Sequence, residues 1–375
     1  MNTPRVIIAG GGTGGHIFPA VAVGHALQRL QPGTQLLFVG ALGRMEMEKV
    51  PQEGFRIIGL DIAGFNRSHL LKNITLPYKL LKSNLAAQKI LRDFKPDAVL
   101  GVGGYASFPV LRAAQARGIP TIIQEQNSFA GKSNQILGRR ATRICVAYEN
   151  MPRFFPADKI LLTGNPVRKA IAQSTLTRED GQDWLGLSPE KPTILFVGGS
   201  LGARSINQAV QAHLQPIVDS GAQVIWQTGR DYFETAKAAA TPYSKQVKVF
   251  DFIRQMEYAY AAADAIVSRA GALAIAELCL VAKPVLFVPY PYAAEDHQTS
   301  NAQALVTHNA ALMTKDNDLM QDLMHKLHIL LHDDAAREVM HQKLKSFAIP
   351  DADERIAREV LAAASFTSPL KTNVP

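Results

Sequence analysis

The sequence predicts an α/β protein made of two similar halves, each a parallel β-sheet with helices on both faces. Three observations carry that expectation. Short apolar runs alternate with stretches of helical pattern along most of the chain, which is the rhythm of repeated strand–helix–strand units. The rhythm starts twice. VIIAGGGTGG, residues 6–15, and ILFVGGSLGA, residues 194–203, are each an apolar strand, a glycine-rich turn and a helix start. And 375 residues suffice for two domains of ordinary size.

In the first half the strand-like runs are RVIIAG, QLLFVG, DAVLGVG, PTIIQE and ATRICVA; in the second they are TILFVGG, AQVIWQTG, VKVFDFI, AIVSRAG and PVLFVPY. Between the sets lies GNPVRKAIAQ, from Gly164, and the hinge is placed at 164–168. The expected domains are therefore residues 1–165 and 166–349. A last helix, within 350–365, follows Ile349-Pro350, since proline both stops and starts helices. The tail after Phe366 is expected to be disordered. Two such Rossmann-like domains bind ligands at the carboxyl ends of their strands. The two are expected to face each other, which puts the site in the cleft between them.

Composition narrows the classes. Apolar residues make up 47% and charged residues 19%, as in soluble globular proteins. The start, MNTPRVIIAGGG, lacks the pattern of a signal peptide, and no run is long enough for a spanning helix. Two cysteines far apart, Cys145 and Cys279, argue against a disulfide framework or a thiolate zinc site and fit a reducing cytosol. The net charge is +8, which points to an anionic partner. Much of it sits in 65–95, where Arg67, Lys72, Lys79, Lys82, Lys89, Arg92 and Lys95 face one acid, Asp93. Leu70, Leu71, Ile74, Leu76, Leu80, Leu81 and Leu85 interleave with them. Basic charge with apolar contacts suits an anionic membrane surface. Core leucines beside solvated lysines read equally well. Nucleic acid is not expected, because no aromatic stacking series accompanies the charge.

The first glycine loop, GGGTGGH at 10–16, fits the G-x-G-x-x-G dinucleotide pattern on Gly10, Gly12 and Gly15. That pattern also needs an acid at the end of the second strand to bind ribose. Here QLLFVGALGR offers none before Glu46. The loop therefore reads as a turn holding some other diphosphate at a helix N-terminus, or as a structural turn. His16 follows it directly. A helix N-terminus favours a neutral imidazole, which could serve as a general base or simply cap and pack. A second loop, GVGGYASFP, puts Gly103, Gly104 and Tyr105 at another strand end. A third, GGSLGARSIN, carries Ser200. Three such loops imply two phosphorylated ligands. Glu125, Gln126 and Asn127 end a strand and could reach a sugar or cap the surface. Glu277 could accept both hydroxyls of a ribose, and His297 and Gln298 suit sugar hydroxyls. Two patterns read as decoys. DND at 316–318 resembles a metal-binding pair but precedes a helix it would cap. His325, His328 and His332 share a helical face without accompanying carboxylates, so no metal is expected.

Taken together, GGTGGHIFPA, GVGGYASFP, EQN, GNPVR, GGSLGARSIN, SRAGALAIAE and EDHQTSNA resemble, in order, the MurG family of bacterial UDP-N-acetylglucosamine transferases, over roughly residues 5–362. The resemblance implies the GT-B fold, two Rossmann-like domains with the last helix returning to the first. It implies transfer of GlcNAc from UDP-GlcNAc to the 4-hydroxyl of the muramyl sugar of lipid I, with inversion to a β-1,4 link and formation of lipid II. Its donor side would be Arg168, Ser200, Asn207, Ile253 (through its backbone, on uracil), Ala272, Leu273, Glu277, His297 and Gln298. Thr13, Gly14, Gly15 and Asn127 would also bind UDP-GlcNAc, with Thr13, His16 and Asn127 facing the reacting centre. Gly12, Gly103, Gly104, Tyr105 and Glu125 would hold the acceptor, with His16 the candidate base. Leu70, Leu71, Lys72, Ile74, Lys79 and Lys82 would meet an anionic membrane on the cytoplasmic face of the inner membrane, beside other cell-wall synthesis proteins. Neither metal nor nicotinamide cofactor is implied. The chain departs from the family at Leu201, where Gln is frequent, and at Ala270, Ala274 and Ala276, where some relatives carry hydroxyl residues. A UDP-GlcNAc 2-epimerase of similar fold, an NAD-dependent oxidoreductase and a non-catalytic lipid-binding module are the competing readings.

Overall fold

The computed structural model describes residues 3–62 and 76–365. Leu70, Leu71, Lys72 and Ile74 of the expected membrane patch lie outside them, as does the tail after Phe366. Two compact units result: residues 1–166 with 351–375, and residues 167–350.

The first unit contains a parallel sheet of seven described strands: β1 (Arg5–Ala9), β2 (Gln35–Ala41), β3 (Ile57–Leu60), β4 (Ala98–Gly101), β5 (Thr121–Glu125), β6 (Arg143–Val146) and β7 (Ile160–Leu162). Their spatial order is β3-β2-β1-β4-β5-β6-β7. The central strands are apolar on both faces because helices cover both. Ile7 pairs with Leu37 on one side and with Val99 on the other. One face packs Leu37, Val39, Val99, Val110 and Leu111. The other packs Val6, Ile8, Ile17, Leu27 and Leu100 against Ile356, Ala357 and Val360 of the last helix, Ala352–Ser365. That helix also meets the Gly14–Leu30 helix through Arg29, which reaches Asp353 at 2.9 Å and Glu354 at 3.4 Å.

The second unit holds a parallel sheet of six described strands: β8 (Thr193–Val197), β9 (Gln223–Gln227), β10 (Val247–Phe250), β11 (Ala265–Ser268), β12 (Val285–Phe287) and β13 (Leu312–Met313). Their order is β10-β9-β8-β11-β12-β13. The sequence did not single out β3, β7 or β13. Each is an edge strand of two to four residues, too short for a clear apolar period.

In both sheets the order of successive strands reverses at one place, between β1 and β4 in the first unit and between β8 and β11 in the second. These are topological switch points, where parallel sheets open a crevice at the carboxyl ends of the strands. The loops after β1 and β4 are the first two glycine loops. The loops after β8 and β11 are GGSLGA and RAGA.

Candidate functional sites

At the first unit's switch point the two glycine loops interlock. Gly11 N–H donates to the Gly103 carbonyl at 3.3 Å. Gly104 has φ +82°, and a Cβ there would lie 2.0 Å from the Gly11 carbonyl oxygen, so glycine is required on both counts. Beyond the loop, Thr13 caps the Gly14–Leu30 helix in extended conformation, and its hydroxyl makes no capping bond. The amides of His16 and Ile17 both reach the Thr13 carbonyl at 3.1 Å. Gly14 and Gly15 lie in the first turn, where a helix supplies no acceptors for its amides and favours anions. The His16 ring lies over Gly103: a Cβ on Gly103 would stand 2.8 Å from His16 Cε1 and 3.0 Å from Nδ1. Tyr105 is exposed. Gly12, Gly103, Gly104, Tyr105, Thr13, Gly14, Gly15 and His16 are thus brought to one end of the sheet.

Glu125 takes a different place from the one expected. It is 2% exposed, and its carboxylate accepts from Asn127 N at 3.1 Å, Gly131 N at 3.1 Å and Asn134 Nδ2 at 2.8 Å. It shapes the turn that presents Asn127 instead of reaching a ligand itself. The fully buried strand β5 turns it inward. Below this turn Gln124 donates to Asn165 Oδ1, Asn165 donates to the Gln126 carbonyl, and Gln126 donates to the Val102 carbonyl, at 2.9, 2.9 and 2.7 Å. This buried chain ties the loop after β5 to the loop after β4. Asn165 belongs to GNPVR, so that motif is split: its asparagine serves the first unit and its arginine the second.

In the second unit Arg168 and Glu277 form a two-point ion pair, Nε to Oε1 at 2.8 Å and Nη2 to Oε2 at 2.9 Å. Tyr260 Oη also donates to Glu277 Oε2, at 3.1 Å. Burial works against the Arg168 charge, but the hydrogen bonds and charge of Glu277 outweigh it, so its pKa lies above the ordinary value. Burial, then the Glu277 carboxylate, push Tyr260 well above its ordinary value, so it remains a donor. Arg168 precedes the Lys169–Ala172 helix, and Glu277 lies on the Ala272–Val281 helix, whose first turn carries Ala272 and Leu273 after the Gly271 cap.

Ser200 is exposed on the GGSLGA loop, and Leu201 is 87% exposed. Gln227, which the sequence did not single out, braces that loop: its Nε2 donates to the Gly199 carbonyl at 3.0 Å and its Oε1 accepts from Ile253 N–H at 2.9 Å. The Ile253 amide is therefore engaged, and its carbonyl is the group suited to a base N–H. Asn207 is corrected more strongly. It is 2% exposed, donates to the Thr228 carbonyl at 2.8 Å and accepts from Trp226 Nε1 at 3.0 Å. It holds the turn after β9, with its side-chain amide engaged inside the unit. The helical period held the signal, since Ala203, Val210 and Leu214 share its buried face.

Gln298 Oε1 accepts from Ala270 N at 3.2 Å and Tyr290 N at 3.0 Å, joining the loops after β11 and β12. His297 Nε2 lies 3.6 Å from Glu295 Oε2. Glu295 and Asp296 before it have φ +53° and +52°, a pair of left-handed non-glycine residues of the kind that gathers at functional sites. The DND stretch does not cap as expected. Asp318, the N-cap of the Leu319–His332 helix, makes no side-chain capping bond, while Asp316 pairs with Arg269 at 2.5 Å and accepts from Ser205. His325, His328 and His332 are exposed, and no group of three metal-ligating side chains occurs among the described residues. In the basic segment, Lys82 is exposed and pairs with Asp61 at 3.1 Å. The side chain of Lys79 lies outside the described residues.

Residues 6–146 match the glycosyltransferase family 28 N-terminal domain and residues 193–356 its C-terminal domain. The chain is 49% identical to a protein of Parabacteroides distasonis over 96% of this chain and 98% of that one. It is 51% identical to one of Phocaeicola vulgatus over 96% of each. Both are named UDP-N-acetylglucosamine–N-acetylmuramyl-(pentapeptide) pyrophosphoryl-undecaprenol N-acetylglucosamine transferase. The crystal structure of Acinetobacter baumannii MurG superposes with TM-score 0.78 at 31% identity, covering 96% of this chain and 99% of that one. A UDP-GlcNAc 2-epimerase from Neisseria meningitidis reaches TM-score 0.65 at 15% identity, covering 96% and 100%, and shares the fold alone. With both domain models matched and about half of its residues identical to these transferases along nearly its whole length, the chain belongs to glycosyltransferase family 28, with the GT-B fold, in its MurG family of N-acetylglucosamine transferases.

Proposed function

We propose that this enzyme transfers GlcNAc from UDP-GlcNAc to the 4-hydroxyl of the muramyl sugar of an undecaprenyl-diphosphate acceptor. The observation that carries the reading is the near-full-length match to transferases whose names specify that donor and acceptor. The paired switch points fit it, since each offers glycine loops and a helix N-terminus to a diphosphate.

In the reaction the acceptor oxygen attacks the anomeric carbon, the bond to the UDP oxygen breaks, and a base takes the hydroxyl proton. His16 is assigned that role, because its ring is held over Gly103 beside the acceptor loops. Charge growing on the UDP leaving group is met by the amides at the start of the Ala272–Val281 helix and by the guanidinium of Arg168. Glu277 is assigned the ribose hydroxyls, Ser200 a donor phosphate, and the Ile253 carbonyl the uracil N–H. His297 and Gln298 lie on the loop assigned to GlcNAc. These parts stabilise the leaving group without a metal ion.

The enzyme is assigned to the cytoplasmic face of the inner membrane as a peripheral protein. The basic Leu76–Phe94 helix exposes Leu81 and Leu85 at 61% and 60%, a combination suited to anionic lipid. No described helix is long and apolar enough to cross a membrane.

The test is transfer from radiolabelled UDP-GlcNAc to a lipid I analogue, with EDTA present and with other UDP-sugars in parallel. Efficient transfer with EDTA and with UDP-GlcNAc alone is expected. Activity lost in EDTA and restored by Mg²⁺ would refute the metal-free chemistry. Conversion of UDP-GlcNAc to its 2-epimer without an acceptor would favour the epimerase reading.

A further inference from the structure

Glu46 is the first acid after β2, and its surroundings are unusual for a carboxylate. It starts the Glu46–Gln52 helix and is 1% exposed. Its Oε1 accepts from Ala41 N–H at 2.9 Å, at the end of β2. Its Oε2 accepts from Gly12 N–H at 2.8 Å, in the first glycine loop. Two glycines make room for it. A Cβ on Gly11, where φ is +138°, would stand 2.3 Å from Glu46 Oε1, and one on Gly40 would stand 2.5 Å from Glu46 Cγ. Elsewhere in this fold the acid after the second strand faces a dinucleotide ribose. Here it has turned into the loop itself.

We propose that Glu46 is a positioning residue that fixes the first glycine loop for the acceptor diphosphate and closes the loop to a dinucleotide. Three physical consequences support this. A carboxylate accepts charge-assisted bonds, which are shorter and stronger than neutral ones, so it holds Gly12 and Ala41 more firmly than an amide or water would. With Gly12 N–H turned inward, the donors presented to an anion are those of the first helical turn, Gly14 and Gly15. And a carboxylate already lodged beside Gly11 and Gly12 repels a second anion placed over those residues, which is where a dinucleotide would put its pyrophosphate. The assignment to acceptor binding rests on the function proposed above.

The variant Glu46→Gln keeps the size but has one accepting oxygen, so it cannot receive both amides. Gly40→Ala leaves the carboxylate intact and displaces it through the Cγ contact. Amide hydrogen exchange of Gly12 in the full-length protein without substrate reads the hold directly. At least tenfold faster exchange is expected in both variants, with the second unit's amides unchanged. Exchange at the wild-type rate in Glu46→Gln would overturn the proposal, whatever the acceptor. Steady-state kinetics then tests the acceptor assignment. The KM for a lipid I analogue should rise at least tenfold in both variants, while the KM for UDP-GlcNAc stays within twofold. Equal effects on both substrates, or none on the acceptor, would overturn the positioning role even with faster exchange. A wild-type enzyme that does not use the acceptor would instead refute the proposed function, leaving the exchange result to stand or fall on its own.

Discussion

Arg168 and Glu277 meet at two points across 109 residues of sequence, and Tyr260 completes the set from a third element. The carboxylate is the buried member: the Glu277 side chain is 10% exposed against 43% for Arg168. Under the proposed assignment, ribose hydroxyls at Glu277 would share it with the guanidinium or displace part of that pair. If this is the donor site as proposed, it is pre-charged, its anion and cation holding each other before substrate arrives.

Glu277→Gln should therefore do two things. It removes the charge that keeps Arg168 paired and leaves one oxygen for three donors. Stability of the second unit should fall by about 1–2 kcal/mol, less than for a fully buried pair because Arg168 is nearly half exposed. Thermal unfolding should show a loss of several degrees. The KM for UDP-GlcNAc should rise at least tenfold with the acceptor KM unchanged. Tyr260→Phe should give the smaller stability loss, about 1 kcal/mol, and its modest kinetic effect would separate ribose contact from support of the carboxylate.

The last helix belongs with the first unit in packing, although it follows the whole of the second in sequence. Ile356 is fully buried among Val6, Ile8, Ile17 and Leu27. Truncation of such a side chain removes apolar burial and leaves a cavity, at a cost of about 2–5 kcal/mol. Ile356→Ala should lower the unfolding midpoint of the first unit while UDP-GlcNAc binding by the second persists in calorimetry. Loss of donor binding at temperatures where the variant remains folded would contradict that separation.

The two-half plan and the glycine loops were legible because both are written locally. A strand, a run of glycines and a helix start lie within ten or so residues, and Gly104 must be glycine for the interlock with Gly11. What was not legible depends on partners distant in sequence. Glu46 and Gly12 are 34 residues apart, and Gln227 and Ile253 are 26 apart. Neither spacing is a motif. The inward turn of two polar residues was not legible either. The resemblance implied a donor contact for Asn207, and Glu125, at a strand end, could equally reach a sugar or cap the surface. Yet each sits in a register that buries it, and there the polar atoms satisfy backbone amides or carbonyls that would otherwise be stranded. GNPVR shows a third limit: two residues of one motif three positions apart, Asn165 and Arg168, brace different units.

Both thiols should be silent in the native protein. Cys145 and Cys279 are buried and unpaired with each other, and burial pushes each pKa up to about 12. At pH 8 the thiolate fraction is then on the order of 10⁻⁴. A thiol reagent such as DTNB should titrate no cysteine before unfolding and both in guanidinium. The sign of the linked pH effect follows. A pKa raised on folding contributes stability that is fully present below the unfolded value, near 9, and is lost as pH climbs toward 12. Replacing both cysteines by alanine should flatten the decline in stability between those limits. Rapid native labelling at pH 8 would contradict the burial that underlies both expectations.

The assignment of His16 as the base can be tested through its neighbour as well as directly. His16→Ala should lower kcat by about 10²–10⁴, the range for loss of a positioned base, with the KM for UDP-GlcNAc unchanged. Gly103→Ala approaches the same ring from the other side. Its methyl would stand 2.8 Å from Cε1 and 3.0 Å from Nδ1, and with φ at +91° the substitution strains the backbone as well as displacing the imidazole. This variant should lower kcat in the same direction by a smaller factor. Gly104→Ala gives the contrast. Its methyl meets the Gly11 carbonyl at 2.0 Å, a backbone clash that should lower the melting temperature of the first unit as well as the rate. If Gly103→Ala acts through the ring, the double variant His16→Ala/Gly103→Ala should be no slower than His16→Ala alone, since residues in contact are not additive. Additive losses would mean that Gly103 acts on the loop and not on the imidazole. An unchanged kcat in His16→Ala would move the base to another residue.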